Sequence, residues 1–144
     1  MQIFLLSERP QHVDTVVRWV WEQWHEHSGL SEEQTRARLI DSADCPPTLL
    51  AEENDKPAGV LGFHRFVRAT GEAPSLFVDG LFVPENLRGR GIGAALVREG
   101  VERARVFAPD LYVYTSQQDW YKRHGWLLLK VDPVSGLFIL TRAT

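Results

Sequence analysis

Residues 87–97, LRGRGIGAALV, leave the chain little freedom in how it folds. Gly89, Gly91 and Gly93 fall at every second position, Arg88 and Arg90 flank the first of them, and an apolar run follows. A turn needs one glycine, rarely three, and no arginine on either side. The stretch therefore joins two elements. Upstream, SLFVDGLFV at 75–83 is a strand interrupted by Gly80, a glycine of the kind that marks a bulge or a close approach to the backbone. Downstream, Leu96, Val97, Gly100, Ala104 and Phe107 share one helical face and Arg98, Glu102 and Arg105 the other, over roughly 91–107.

A strand that runs through glycines into a helix makes an anion site. The first turn of a helix carries unpaired N–H donors and the positive end of the helix dipole. Glycines let a ligand approach the backbone, and Arg88 and Arg90 add donors suited to phosphate oxygens. The sum is a cradle for a pyrophosphate. A Walker A loop would end in Gly-Lys-Ser/Thr, which GRGIGAAL lacks. A dinucleotide fingerprint is matched by Gly89, Gly91 and Ala94. However, Pro84 to Arg88 separate it from the strand, and the acidic residue expected about 20 positions on should end the next strand. Asp110 instead precedes it. The remaining pattern, Arg-x-x-Gly-x-Gly after a strand and a proline, is met at every fixed place by Arg88 to Gly93.

The rest of the chain surrounds this unit. IFLL at 3–6 reads as a strand, and Pro10 stands where a first-turn proline would. Val13, Val16, Val17, Val20 and Trp24 then recur at helical spacing. SEEQ at 31–34 is a capping box that starts a second helix carrying Leu39 and Ile40. Strands at 48–53 and 58–67 read as a hairpin about the turn residues NDKP. LYVYT at 111–115 is a strand, Ser116 with Asp119 suggests the cap of a short helix at 117–124, and GWLLLKV and GLFILT close the chain as two strands. The order β-α-α-β-β-β-α-β-α-β-β predicts a single α/β domain over 1–144 with a mixed sheet, antiparallel in the middle, and one crossover through the 91–107 helix. The balance of 44% apolar and 24% charged residues is that of an ordinary globular protein. A net charge of −3 argues against nucleic acid as a partner. Cys45 stands alone, so no intramolecular disulfide forms and a cytoplasmic home is expected. The opening apolar run is too short for a signal peptide or a membrane span.

LFVPENLRGRGIGAALV resembles the acyl-CoA-binding motif of the GNAT superfamily of N-acetyltransferases, and DWYKRHGW at 119–126 is similar to that family's Tyr-x-x-x-Gly-Phe segment. The resemblance implies the GNAT fold and acetyl-CoA as co-substrate. It implies that Leu81, Phe82 and Val83 pair with the pantetheine arm. The loop Arg88, Gly89, Arg90, Gly91, Ile92 and Gly93 would hold the pyrophosphate through backbone N–H groups of 90–93, with Arg88 beside it. A backbone N–H of Phe82 or Val83 would receive the tetrahedral oxyanion. Tyr121 matches the tyrosine near the CoA sulfur, a general acid for the departing thiolate, and Asp79 matches the general base that deprotonates an acceptor amine, directly or through water. Gly93, inside the first helical turn, costs about 1 kcal/mol against alanine, and a close ligand gives that cost a purpose.

The acceptor is less legible. The first helix walls the acceptor site in this family, which makes Trp19, Glu22 and Glu26, with the WHEHSG segment at 24–29, candidates for recognising a small-molecule or peptide amine. Loops at 24–35 and 68–75 would complete that pocket. Trp24 reads as core. His25 and His27, a His-x-His pair without further ligand spacing, read as a solvated helix end, so no metal is expected. Arg65 and Arg68 read as outward strand positions, and Cys45 as a small apolar residue. Two functions follow from the resemblance: acetyl transfer to a primary amine in a ternary complex, or acyl-CoA binding by a sensor module without catalysis. The closing strands could also pair across a homodimer.

Overall fold

Period-two burial along the strands sets the architecture. The computed structural model describes residues 1–41, 43–67 and 74–144. Arg68 and most of the anticipated 68–75 loop lie outside them. In β2 (Leu49–Glu53), Leu49 and Ala51 pack on one side of the sheet and Leu50 on the other. In β3 (Lys56–Phe66), Leu61 and Phe63 join the first side and Val60 the second. A strand buried on both faces needs cover on both. The cover comes from α1 (Val13–Ser28) and α2 (Glu32–Ile40), whose Val16, Val17 and Leu39 meet Leu50 and Val60, and from α3 (Ile92–Ala104), whose Ile92, Leu96, Val97 and Val101 meet Leu61 and Phe63. Fully burying one such aliphatic side chain stabilises by about 2 kcal/mol.

Among the described residues seven strands make one sheet in the order β1-β2-β3-β4-β5-β7-β6, where β1 is Gln2–Leu5, β4 Ser75–Phe82, β5 Asp110–Thr115, β6 Leu127–Val131 and β7 Phe138–Ala143. A short helix α4 (Gln118–Arg123) links β5 to β6. Every neighbouring pair is antiparallel except β4 and β5, the crossover through α3. The element order is the one the sequence predicts, and the sheet is mixed, with one parallel pair. Its local signals hold too. The Ser31 hydroxyl accepts from Gln34 N at 3.0 Å while Gln34 Oε1 accepts from Ser31 N at 2.9 Å. Asn54 and Asp55 turn the β2–β3 hairpin with φ of 51° and 62°.

Three expectations change. The 91–107 helix stops at Ala104, because Arg105 N and Phe107 N bond back only three residues and Pro109 disfavours continuation. Phe107, expected in the core, is consequently exposed. Ser116 does not cap α4: its N-cap is Gln117, and the Thr115 hydroxyl at the strand end accepts from Gln117 N at 2.9 Å. Trp24 is only half buried and faces a cleft. The edge strand β6 is exposed along its length, with Leu127 the most uncovered. Among the described residues no helix is long and apolar enough to cross a membrane.

Candidate active site

The sheet opens where its one parallel pair fails. β4 and β5 are in register only at Phe77↔Tyr112 and Val78↔Val113. On its other edge β4 stays bonded to β3, but through a bulge: Gly62 faces Asp79 and Val60 faces Phe82. Gly80, with φ of 81°, sits in that bulge, a backbone angle that L side chains rarely adopt. The bulge turns the end of β4 away from β5. From Leu81 to Val83 one wall, and from Val113 to Ser116 the other, bound a cleft of about 1500 Å³.

The glycine loop lies in this cleft. Gly91, with φ of 84°, is the N-cap of α3, and no side chain caps that helix end. The intrahelical ladder begins only with Ala95 N bonding to Gly91 O, so the earlier N–H groups are left to solvent or a ligand. A Cβ added at Gly91 would meet no atom within 4 Å, so the left-handed angle, and not packing, calls for glycine there. Gly93 is different. Its Cβ would meet only Trp120 Cζ2 at 3.6 Å and Val83 Cγ2 at 3.8 Å, ordinary contacts. Neither backbone angle nor packing requires glycine at 93, and the space it leaves belongs to the cleft. Arg88 donates through Nε to Val83 O at 2.8 Å, and its outer donors are uncommitted among the described residues. Arg90 turns away, its guanidinium on Glu53 Oε1 at 2.7 Å, so its side chain does not share the cleft with Arg88. Main chain and one arginine in this arrangement have the chemistry to hold an anion.

Two titratable groups, Tyr121 and Asp79, meet the same cleft. Tyr121 is 5% exposed, edge-on to Trp120 and to Trp126 at 4.9 and 5.2 Å between ring centroids. Burial pushes its phenol well above the ordinary tyrosine range, so it keeps its proton throughout the working pH range. Asp79, at the bulge, is also raised above the usual carboxylate range. Desolvation dominates, and Arg38 and His64 pull against it. Arg38 of α2 reaches Asp79 Oδ2 through Nη1 at 3.5 Å, and its guanidinium lies over the Phe66 ring, 5.6 Å from the centroid. His64 on β3 has a buried Nδ1 without a partner among the described residues, and burial, then Arg38, lowers its affinity for a proton.

The structure does not bring Trp19, Glu22 and Glu26 to the cleft. The stripe of α1 that faces it is Val20, Gln23, Trp24 and His27, the next face round the helix. Trp19 packs on Phe82 with ring centroids 5.6 Å apart and lines a separate shallow pocket with Glu53 and Arg90. Glu22 pairs with Arg18 at 3.7 Å in solvent, and Glu26 is exposed. Arg65 does not point outward freely: it ties Asp44 O and Phe107 O at 2.7 and 3.2 Å. His25 stacks on Trp21 at 4.2 Å, and among the described residues no group of three or more His, Cys, Asp or Glu could hold a metal ion. Arg38, Phe66 and Trp120 were absent from the sequence candidates. Arg38 and Phe66 reach the cleft only through tertiary packing, whereas Trp120 could have been found from its place beside Tyr121.

The family model described as "Acetyltransferase (GNAT) family" matches residues 13–126. No curated protein matches the chain by sequence. Among solved structures, the coenzyme A complex of an aminoglycoside 6'-N-acetyltransferase superposes with a TM-score of 0.80 at 17% identity, over 99% of this chain and 97% of that one. Ard1 from Thermoplasma volcanium gives 0.74 at 14% identity, over 99% and 97%. N-acetylglutamate synthase from Neisseria gonorrhoeae, complexed with coenzyme A and N-acetyl-glutamate, gives 0.70 at 18% identity, over 99% of this chain and 34% of that longer one. At these identities the likeness is one of fold, whereas the family model covers most of the chain. This chain belongs to the GNAT family of acetyltransferases.

Proposed function

We propose that this protein is an acetyl-CoA-dependent N-acetyltransferase that moves the acetyl group directly to a primary amine. The observation that carries the reading is the splay of β4 from β5, which opens onto the uncapped start of α3 with Tyr121 and Asp79 lining the same cleft. The Leu81 to Val83 edge that faces away from β3, where Val83 O accepts from Arg88, suits the amide groups of a pantetheine arm, and the N–H groups of 90–93 with the outer donors of Arg88 suit a pyrophosphate. Asp79, or a water on it, takes a proton from the acceptor ammonium. The amine nitrogen attacks the thioester carbonyl, and the carbon–nitrogen bond forms to give a tetrahedral oxyanion held by an N–H of Phe82 or Val83. Its collapse breaks the carbon–sulfur bond as Tyr121 gives its proton to the leaving thiolate; the second proton of the acetylated nitrogen then returns to Tyr121, and Asp79 releases its own to solvent. No covalent intermediate with the protein is needed. Cys45 is buried and does not line the cleft.

The neighbours named above include an enzyme for aminoglycosides and one complexed with N-acetyl-glutamate, so the shared fold does not select an acceptor. Thermal shift with acetyl-CoA and with NADH, followed by a panel of amines scored for released CoA, tests the reading. Stabilisation by NADH and not acetyl-CoA would overturn it. Acetyl-CoA binding without CoA release from any amine would favour a non-catalytic acyl-CoA sensor. Tyr121→Phe is expected to lower kcat by about 10- to 100-fold with the KM for acetyl-CoA within about twofold. An unchanged kcat removes Tyr121 as the acid.

A further inference from the structure

At the acceptor end of the cleft, the fully charged side chains among the described residues, outside the glycine loop and the Asp132 turn, are Arg38 and Asp79, one of each sign. Their contact is weak for such neighbours. A guanidinium offers five donors and a carboxylate about four acceptor sites, yet a single 3.5 Å approach joins them. A bidentate pair would be shorter, near 2.8 Å, and closed. Both side chains are about a third exposed, at 28% and 32%, and both face the cleft. The pair is therefore open to exchange with a ligand carrying both charges. Much of the wall around it is apolar, with Gln23, His27 and Thr35 as polar exceptions. Phe66 lies under Arg38, Phe77 stacks on Tyr114 with centroids 5.0 Å apart, and Trp24 and Leu30 close the α1 side. A polycation would want an acidic surplus, which these lining residues do not supply.

We propose that the acceptor is a free α-amino acid with an apolar side chain, its carboxylate held by Arg38 and its amine by Asp79. This rests on the acetyl-transfer reading above and specifies its substrate. In an α-amino acid the nitrogen and a carboxylate oxygen lie about 3 Å apart by covalent geometry. With charge-assisted bonds of about 2.8 Å to Asp79 and Arg38, the four charges form a closed square of alternating sign on the existing 3.5 Å edge. An amine whose anion is remote cannot close that square. A peptide N-terminus has no carboxylate beside its amine and leaves the Arg38 fork unfilled. Asp79 holds the amine next to the bulge at Gly80, where the thioester would arrive.

The test compares L-phenylalanine, L-phenylalaninamide and phenethylamine as acceptors, with acetyl-CoA saturating and both CoA and the N-acetyl product measured. The amide's amine loses its proton more readily, so a preference for the acid runs against intrinsic reactivity. The wild-type protein is expected to favour phenylalanine over the amide by at least about tenfold in kcat/KM, mainly through KM. Arg38→Gln should bring that ratio close to one, and Arg38→Lys, which keeps the charge without the fork, should fall between. Thermal stabilisation by acetyl-CoA reports that each variant is folded. Equal or better turnover of the amide, or a preference for the acid that survives Arg38→Gln, overturns the proposal. Acetylation of none of the three also overturns it but leaves acetyl transfer to be judged on the wider amine panel. Failure to bind acetyl-CoA takes down both.

Discussion

The two ends of the cleft are made of different material. At the glycine loop the surface is main chain: an uncapped helix start, the positive φ of Gly91, the empty place at Gly93 and the unpaired edge of β4. At the other end it is side chain: Trp24 from α1, Arg38 from α2, Phe66 from β3 and Asp79 from β4. Backbone donors stay in place whatever the outward residues are, so on the proposed reading the first end serves as a fixed donor site for one chemical group. Side chains from four separate elements can be exchanged one at a time, so on the same reading the second end is the one that varies with the acceptor. Damage at the first end should abolish donor binding, and damage at the second should spare it.

Gly91→Glu should give the largest effect. It forces a side chain into a φ of 84° and puts a carboxylate where a pyrophosphate would sit. Acetyl-CoA affinity, measured by calorimetry, is expected to fall by at least about 1000-fold, roughly 4 kcal/mol. Retained affinity would break the assignment of the loop as the donor site.

Asp79→Asn should separate the ends. Loss of a general base lowers kcat by about 100-fold, while acetyl-CoA affinity stays within about threefold. The pH profile carries the sign. Burial raises Asp79, so the rate in the wild-type protein should climb with pH through a value above the ordinary carboxylate range, and the variant should lack that limb. Arg38 opposes the shift, so Arg38→Gln should move the limb further up in pH. A limb at the usual carboxylate pH, or one that persists in Asp79→Asn, removes Asp79 as the base.

The same division explains what the sequence revealed. The glycine-loop end of the cleft was legible as a candidate site because main-chain sites need glycines at fixed spacing within one short window, and Arg88 to Gly93 supply them. Element order was legible for a similar reason: the hairpin turn at Asn54 and Asp55, the Ser31–Gln34 cap and the bulge at Gly80 are local events. The acceptor end was not legible. The face of α1 that meets the cleft is set by how the helix seats Val16 and Val17 on Leu50 and Val60, and Trp19, Glu22 and Glu26 fall on the neighbouring stripe, outside the cleft lining. Arg38 stands 41 residues before Asp79, and nothing near either residue announces their contact.

Gly93→Ala should give the smallest effect and the sharpest contrast. Within a helix, glycine is less favourable than alanine by about 1 kcal/mol. Here a methyl group would touch only Trp120 and Val83 at ordinary distances, and the backbone angle is helical, so the protein without ligand should become more stable. Melting is expected to rise by about 3 °C. The same methyl group enters the space beside the first-turn N–H groups and should weaken acetyl-CoA by about tenfold. A variant both more stable and tighter-binding would show that the gap is not kept for the ligand. One less stable would show that glycine serves the Trp120 packing instead. Opposite signs for stability and affinity at a single methyl group are what a main-chain ligand site predicts, since the glycine is then a defect in the helix retained for the contact it permits.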